Sequence, residues 1–144
     1  MQKDKYEALR LDRQLCFPLY AAAKEVVRKY TPLLEKLGLT YTQYITLLVL
    51  WEGDGITVKN IGERLYLDSG TLTPVLKSLE KKSLVIRKRS DDDERSVIIL
   101  LTKDGLELRE RAISVPEQLS DCTNLSPEQS LTLYELLYKV LENK

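Results

Sequence analysis

The stretch LDSGTLTPVLKSLEKKSLVIRKRSDDDERSV, residues 67–97, changes period part-way along, and that change decides the fold. In its first half Leu72, Val75, Leu76 and Leu79 fall at i, i+3, i+4 and i+7, the apolar stripe of an amphipathic helix. Asp68 or Ser69 can cap that helix, which is expected to run to about Lys82. Its opposite face carries Gly70, Thr73, Pro74 and Lys77. In the second half, Leu84 to Lys88 and Ser96 to Leu101 are rich in β-branched residues and are separated by RSDDDER. They read as a two-stranded ribbon with a polar tip, a wing.

Working outward toward the N-terminus, Thr40 with Gln43 three residues on forms a capping-box signature, and YITLLVLW after it reads as a short buried helix that stops at Gly53-Asp54-Gly55. Thr57 can cap a second helix through Leu65. With the helix after Asp68 these make the three short helices of a helix-turn-helix. Earlier still, Leu19, Ala23, Val26, Tyr30, Leu34 and Leu37 recur at three- and four-residue steps, giving one stripe on a long helix that ends near Gly38. Pro18 requires that this helix either begin near Cys16 or kink there. Beyond the wing, Thr102 caps a helix from Lys103. Ser126-Pro127-Glu128-Gln129 opens a last one bearing Leu133, Leu137, Val140 and Leu141. A domain this small needs fewer apolar terminal helices for its own core, so the terminal helices are expected to form a dimer interface. The expected fold is mainly α with a small β-ribbon: a single winged helix-turn-helix domain over 1–144, with a DNA-binding lobe at about 40–101 and dimerisation helices at about 8–38 and 103–144.

Composition removes whole classes of function. The 144 residues suit one domain, and 43% hydrophobic with 31% charged residues suit a folded one. The longest apolar stretch, ITLLVLW, is far short of the ~18–20 residues of a membrane span, and the charged first fifteen residues do not resemble a secretion signal, so a cytoplasmic location is expected. Without histidine, Ser-His-Asp and Cys-His catalysis are excluded. Two cysteines do not complete a Cys-rich zinc site, so neither a metal nor a cofactor is expected. An enzyme reading would make the chain a thiol peroxidase, but such enzymes usually use a βαβ redox fold. Lys plus Arg and Asp plus Glu balance at 22 each, yet from Lys77 to Arg89 six basic residues stand against Glu80 alone, a local excess of about +5 where a phosphate backbone would bind.

Two residue patterns carry chemistry, each beside a plainer alternative. A helix with small polar residues at its exposed N-terminal end can approach base edges, and its terminal amides favour phosphate, although a solvated helix face has the same pattern. In the wing, Asp93 stands two residues before Arg95 and can hold the guanidinium fork for insertion into a minor groove, or the acids can form an ordinary turn. Cys16 lies near a helix start, where amide dipoles favour a thiolate; the alternative is a small buried apolar residue.

Residues 67–97 resemble the recognition helix and wing of the multiple-antibiotic-resistance-regulator (MarR) family. YLDSGTLTP (66–74) and QLCFPLYAA (14–22) are similar to its organic-hydroperoxide (OhrR) branch, and the resemblance covers nearly the whole chain. It implies a dimeric repressor of double-stranded DNA that responds to organic hydroperoxides. It places Ser69, Gly70, Thr71, Thr73, Pro74 and Lys77 on the major groove, Arg95 in the minor groove supported by Asp93, and Arg87 as a phosphate contact. It also makes Cys16 the peroxide-sensing thiol, with Tyr30 and Tyr41 as activating phenols and Tyr20 as a further candidate. Pro18 departs from the apolar residue expected there. Cys122, in the polar stretch SDCTNLSP, is implied to resolve oxidised Cys16 between subunits; a small cellular thiol capping Cys16 is the alternative. A MarR-type regulator answering an aromatic or phenolic ligand in the dimer cleft, with no redox role for Cys16, is the competing function.

Overall fold

The computed structural model describes residues 5–142. Two 3-10 turns, Glu7–Leu9 and Leu11–Arg13, lead into helix α1, Cys16–Glu35. Helix α1 begins at Cys16 itself. Pro18 therefore sits in the first turn, where a missing N–H costs no intrahelical bond. Pro32 lies near the other end, inside the helix. The chain leaves α1 at Glu35, earlier than the apolar stripe suggested, and turns through Gly38, whose φ of +69° suits glycine.

Helices α2 (Tyr41–Glu52), α3 (Val58–Leu65) and α4 (Ser69–Lys81) follow as expected, each opened by a side-chain cap. Thr40 and Gln43 form the reciprocal capping box at 3.3 and 3.1 Å, Thr57 accepts from Asn60 N, and Asp68 accepts from Thr71 N at 2.7 Å. The wing strands are β2 (Val85–Arg89) and β3 (Val97–Leu101), paired antiparallel with Arg87 opposite Ile99. A two-residue strand β1, Ile56–Thr57, adds to the far edge of β3. Two residues give no periodicity to read, so this strand was not legible in the sequence. Helix α5 (Lys103–Ala112), a single turn α6 (Val115–Gln118) and α7 (Pro127–Glu142) complete the fold. The one-turn α6 was likewise not foreseen.

The core lies between α2, α3, α4 and the sheet. Leu47, Leu50, Ile61, Leu72, Leu76, Leu79, Val85 and Ile99 are buried there, so the predicted stripe of α4 faces inward, with Val75 half-buried at its edge. The terminal helices behave differently. Of α1 only Leu34 is fully buried, and residues 16–25 are all exposed. Helix α7 buries none of its described residues and leaves Leu131, Tyr134, Leu136 and Val140 open. Residues 143–144 and residues 1–4 of the charged N-terminal run lie outside the described set.

One close approach locks the wing to the helices. Gly105 of α5 passes so near the chain at Leu84 that a Cβ there would lie 2.2 Å from the Leu84 carbonyl oxygen. Leu84 O accepts from Thr102 N (3.1 Å), and the Gly105 carbonyl accepts from the Trp51 indole at 2.9 Å. Neither backbone can retreat without losing a bond. Gly105→Ala should therefore destabilise the fold by about 1–3 kcal/mol, the usual cost of overpacking. Chemical denaturation should show a lower midpoint, and an unchanged midpoint would mean that this contact yields freely.

Candidate DNA interface and redox site

Helix α4 presents Ser69, Gly70, Thr71, Pro74 and, past its middle, Lys77 to solvent, with Thr73 half-buried. Asp68 already engages the Thr71 amide, so that amide is not open to a phosphate as the sequence suggested, and contact on this face falls to side chains. The bonds Asp68 accepts from the backbone amide and the side chain of Thr71, with the Gly70 amide adding, hold its carboxyl below the ordinary range. The Thr73 hydroxyl donates to the Ser69 carbonyl at 2.7 Å, which fixes its rotamer and leaves its oxygen an acceptor. Pro74 has no N–H to give to the carbonyl of Gly70.

Between α3, α4 and the wing lies a groove of about 1000 Å³, lined among others by Lys59, Tyr66, Ser69, Thr73 and Arg95. Lys59 and Tyr66 were not singled out from the sequence. Lys59 is exposed on α3, and Tyr66 takes the left-handed conformation (φ 55°) that turns the chain from α3 into α4. A bulky residue at positive φ is the structural sign of this site, and no sequence pattern announces it.

The wing corrects one expectation. Asp93 does not hold the guanidinium of Arg95. Its Oδ1 accepts the backbone N–H of Arg95 at 3.0 Å and its Oδ2 accepts the Ser96 hydroxyl at 2.8 Å. These bonds hold the Asp93 carboxyl below its ordinary value, the Arg95 amide contributing most. Asp93 therefore shapes the turn that carries Arg95, while the guanidinium makes no ion pair among the described residues.

The basic window is also less open than its count implied. Arg87 is held by Glu80, Nε to Oε2 at 2.9 Å, and only a third of its side chain is exposed. Lys82, though exposed, is tied down and donates to the Gly38 carbonyl (2.5 Å) and to Gln43 Oε1 (2.8 Å). Lys88 reaches Asp91 at 3.5 Å. Lys77, Lys81 and Arg89 remain without an ion pair among the described residues. Residue counting could not separate these groups, because the acceptors of Lys82 are distant in sequence and carry no charge.

At the two cysteines and the tyrosines the chain separates what the sequence grouped. Cys16 is an exposed thiol at the first position of α1, and Tyr20 follows one turn later, 61% exposed with Lys24 over its ring. Tyr30 stands fourteen positions along the same unbroken helix, about 21 Å from Cys16 at 1.5 Å per residue. There it packs edge-on to Tyr41 (5.0 Å between centroids) and against Tyr44 (5.8 Å). Burial pushes all three phenols above their ordinary value, and Tyr41, Tyr44 and Cys122 add to the effect on Tyr30. They remain protonated donors at neutral pH. Cys122, half-buried in the loop before α7, lies at this cluster, and its carbonyl accepts a hydrogen bond from the Lys29 ammonium. Within one protomer, then, Cys122 is bonded to Lys29, the residue before Tyr30, whereas Cys16 lies a helix length away from Tyr30. Tyr44 and Lys29 are further members that sequence reading missed. Tyr44 was legible as the residue one turn after Tyr41, whereas Lys29 had no signal.

Comparison with known proteins gives a consistent outcome. Residues 28–111 match the family described as transcriptional regulator SarA/Rot. The organic hydroperoxide resistance transcriptional regulator of Bacillus subtilis (strain 168) is 49% identical over 140 residues, which is 97% of this chain and 95% of that protein. Among solved structures, reduced AbfR bound to DNA superposes with a TM-score of 0.78 at 38% identity, covering 96% of both chains. Disulfide-formed AbfR superposes at 0.65 and 39% identity, covering 95% of this chain and 96% of that one. AbfR is a protein of Staphylococcus epidermidis. The chain belongs to the SarA/Rot family of transcriptional regulators and, among MarR-type winged-helix proteins, to the organic hydroperoxide resistance regulators.

Proposed function

We propose that the chain is a cytoplasmic, dimeric repressor that binds a pseudo-palindromic operator when reduced and leaves it when an organic hydroperoxide oxidises Cys16. The observation that carries this reading is the separation along α1. Cys16 lies about 21 Å from Tyr30 on one continuous helix, and Cys122 sits at the Tyr30 end. A disulfide tolerates Cα separations of only ~4.4–6.8 Å, so a bond between Cys16 and Cys122 closes between two subunits. The exposed apolar faces of α1 and α7 supply the surface for that dimer. These helices are its dimerisation elements, and residues of about 40–101 are the DNA-binding lobe.

In the reduced dimer the protonated phenols of Tyr30 and Tyr41 serve as neutral donors to the partner subunit's Cys16 thiolate. The thiolate attacks the hydroperoxide, the O–O bond breaks, Cys16 becomes a sulfenic acid and the alcohol departs. Cys122 then displaces the sulfenic hydroxyl as water, forming the disulfide. Two recognition helices must meet successive major-groove faces about 34–36 Å apart, so drawing one subunit's last helices toward the other's first breaks both contacts together. Ser69, Thr71, Thr73 and Lys77 face the major groove in this reading and Arg95 the minor groove. Arg87, braced by Glu80, is a phosphate contact. The likeness to reduced, DNA-bound AbfR exceeds that to the disulfide form, which supports taking this conformation as the binding-competent one.

A second reading has its own observation. A groove of about 630 Å³ lined by Tyr44, Leu48, Trp51, Arg109, Ile113 and Pro116 would suit a phenolic effector. Cys16→Ser separates the two. Under an organic hydroperoxide the wild-type protein should leave its operator while Cys16→Ser stays bound in a mobility-shift assay, and release of Cys16→Ser would favour the ligand reading. Non-reducing electrophoresis should show a covalent dimer that disappears in both Cys16→Ser and Cys122→Ser; its survival in Cys122→Ser would remove the resolving role. Arg95→Ala should weaken operator binding by about 1–3 kcal/mol at fixed salt with unchanged melting temperature. Equal affinity in fluorescence anisotropy would take Arg95 out of the interface.

A further inference from the structure

The loop between α6 and α7 is held to the rest of the protein at few points. Leu119 at its start packs against the core. From there the Cys122 amide donates back to Leu119 O at 3.0 Å, Asn124 adopts a left-handed φ of 53°, and Ser126 pairs with Gln129. Among the described residues, the hydrogen bonds of 120–126 otherwise stay within 117–130. The exception is Lys29, half-buried on α1 beside Tyr30, whose ammonium donates to the carbonyl of Cys122 itself. Among the described residues no carboxylate takes that ammonium: Glu25, one turn earlier, is paired with Arg28 at 2.6 Å. The charge of Lys29 is thus committed to a neutral backbone oxygen at the one residue of the loop with redox chemistry.

We propose that Lys29 is a positioning residue for the redox reaction: it ties the Cys122 backbone to α1 beside Tyr30, so that the loop bearing the thiol is held at the end of the helix toward which oxidised Cys16 of the partner subunit must be drawn. The inference rests on the redox reading above. In the step it serves, a Cys16 sulfenic acid and the Cys122 thiol give a disulfide and water. The S–S bond forms, the S–O and S–H bonds break, and the oxidising equivalents have already come from the hydroperoxide. A thiol on an untethered loop must be found by diffusion of the chain, during which a sulfenic acid is open to a second hydroperoxide and conversion to sulfinic acid. Holding the thiol in place converts the choice between these fates into a geometric one. A charged donor suits this because its bond to a carbonyl is stronger than a neutral one, yet its flexible stem can follow the loop as the disulfide closes.

The test uses the full-length dimer treated with tert-butyl hydroperoxide, comparing wild type with Lys29→Met, which keeps the stem but removes the donor, and Lys29→Arg, which restores one. Dimedone labelling followed by mass spectrometry reads Cys16 sulfenic acid, and non-reducing electrophoresis reads the covalent dimer. Lys29→Met should form sulfenic acid at the wild-type rate but close the disulfide about ten- to a hundredfold more slowly, the size of effect that a misplacement near 1 Å produces. Sulfinic Cys16 should accumulate in its place, and Lys29→Arg should recover the disulfide. A merely structural lysine would lower the melting temperature without shifting the ratio of disulfide to sulfinic product. Disulfide closure in Lys29→Met at the wild-type rate would overturn the proposal while leaving the redox reading intact. Absence of both Cys16 sulfenic acid and the covalent dimer in wild-type protein would overturn both.

Discussion

The length and continuity of α1 are the constraint on which the redox arrangement depends. A helix that runs unbroken from Cys16 to Glu35 is a rod, and a rod fixes the distance between whatever stands at its ends. Cys16 stands at one end, unprotected by its own protomer, while Tyr30, Tyr41 and Cys122 gather at the other. Pro18 and Pro32 preserve this. The first falls in the opening turn, where no bond is lost, and the second falls beyond Tyr30, so neither shortens the rod between the two groups. In the proposed reading a chemical event at Cys16 is thereby an intersubunit event, and the dimer's geometry reports the redox state without any separate relay.

The same end of α1 is tied to the recognition helix. Gln43, buried on α2 between Tyr41 and Tyr44, donates to Ser78 of α4 at 2.9 Å and accepts from Lys82, which also holds the Gly38 carbonyl at the exit of α1. Every polar atom of the Gln43 amide oxygen and nitrogen has a partner, which is what a buried amide requires. Breaking one of these bonds would leave a buried group unsatisfied, costing about 1–3 kcal/mol, so the turn after α1, the start of α2 and the end of α4 tend to move as one body.

How much of this could be read from the sequence follows from the range of each interaction. The caps at Thr40, Thr57, Asp68 and Thr102 and the stripe of Leu72, Leu76 and Leu79 were legible, because each is written within a few residues of itself. The wing was legible for the same reason, although β2 lies one residue later than expected at both ends and β3 begins one residue later. Beyond that range legibility failed. The Asp93–Arg95 pair had the right spacing for an ion pair but uses the backbone amide, since a two-residue step across a turn brings the N–H closer than the guanidinium. The Lys29 bond spans 93 residues and ends on a main-chain oxygen, which any residue type would provide. Cys16, Tyr30 and Tyr41 were grouped through resemblance, and the stripe from Leu19 to Leu37 already placed Tyr30 far along the helix that starts near Cys16; the packing of Tyr41 and Tyr44 at the Tyr30 end was not legible, because it joins two helices.

A chain with balanced charge gains little from general attraction to a polyanion, so its DNA affinity in the proposed reading must come from where its cations are placed. The structure bears on this point directly. Of the six basic residues from Lys77 to Arg89, Lys82 is used internally, Arg87 is braced by Glu80, and Lys88 reaches Asp91. The acidic wing tip, Asp91 to Glu94, would repel phosphate further. An arrangement that gives up net positive charge but keeps a rigid Arg95 turn and a small-residue helix face weakens non-specific binding more than it weakens contact with a matching site. It also makes each recognition helix a poor binder alone, so operator affinity depends on both helices engaging together. In the proposed reading that dependence allows a change confined to the dimer interface to release the protein, because the few cations left unpaired in this window, Lys77, Lys81 and Arg89, are a small reserve to hold it on the DNA once the spacing is lost.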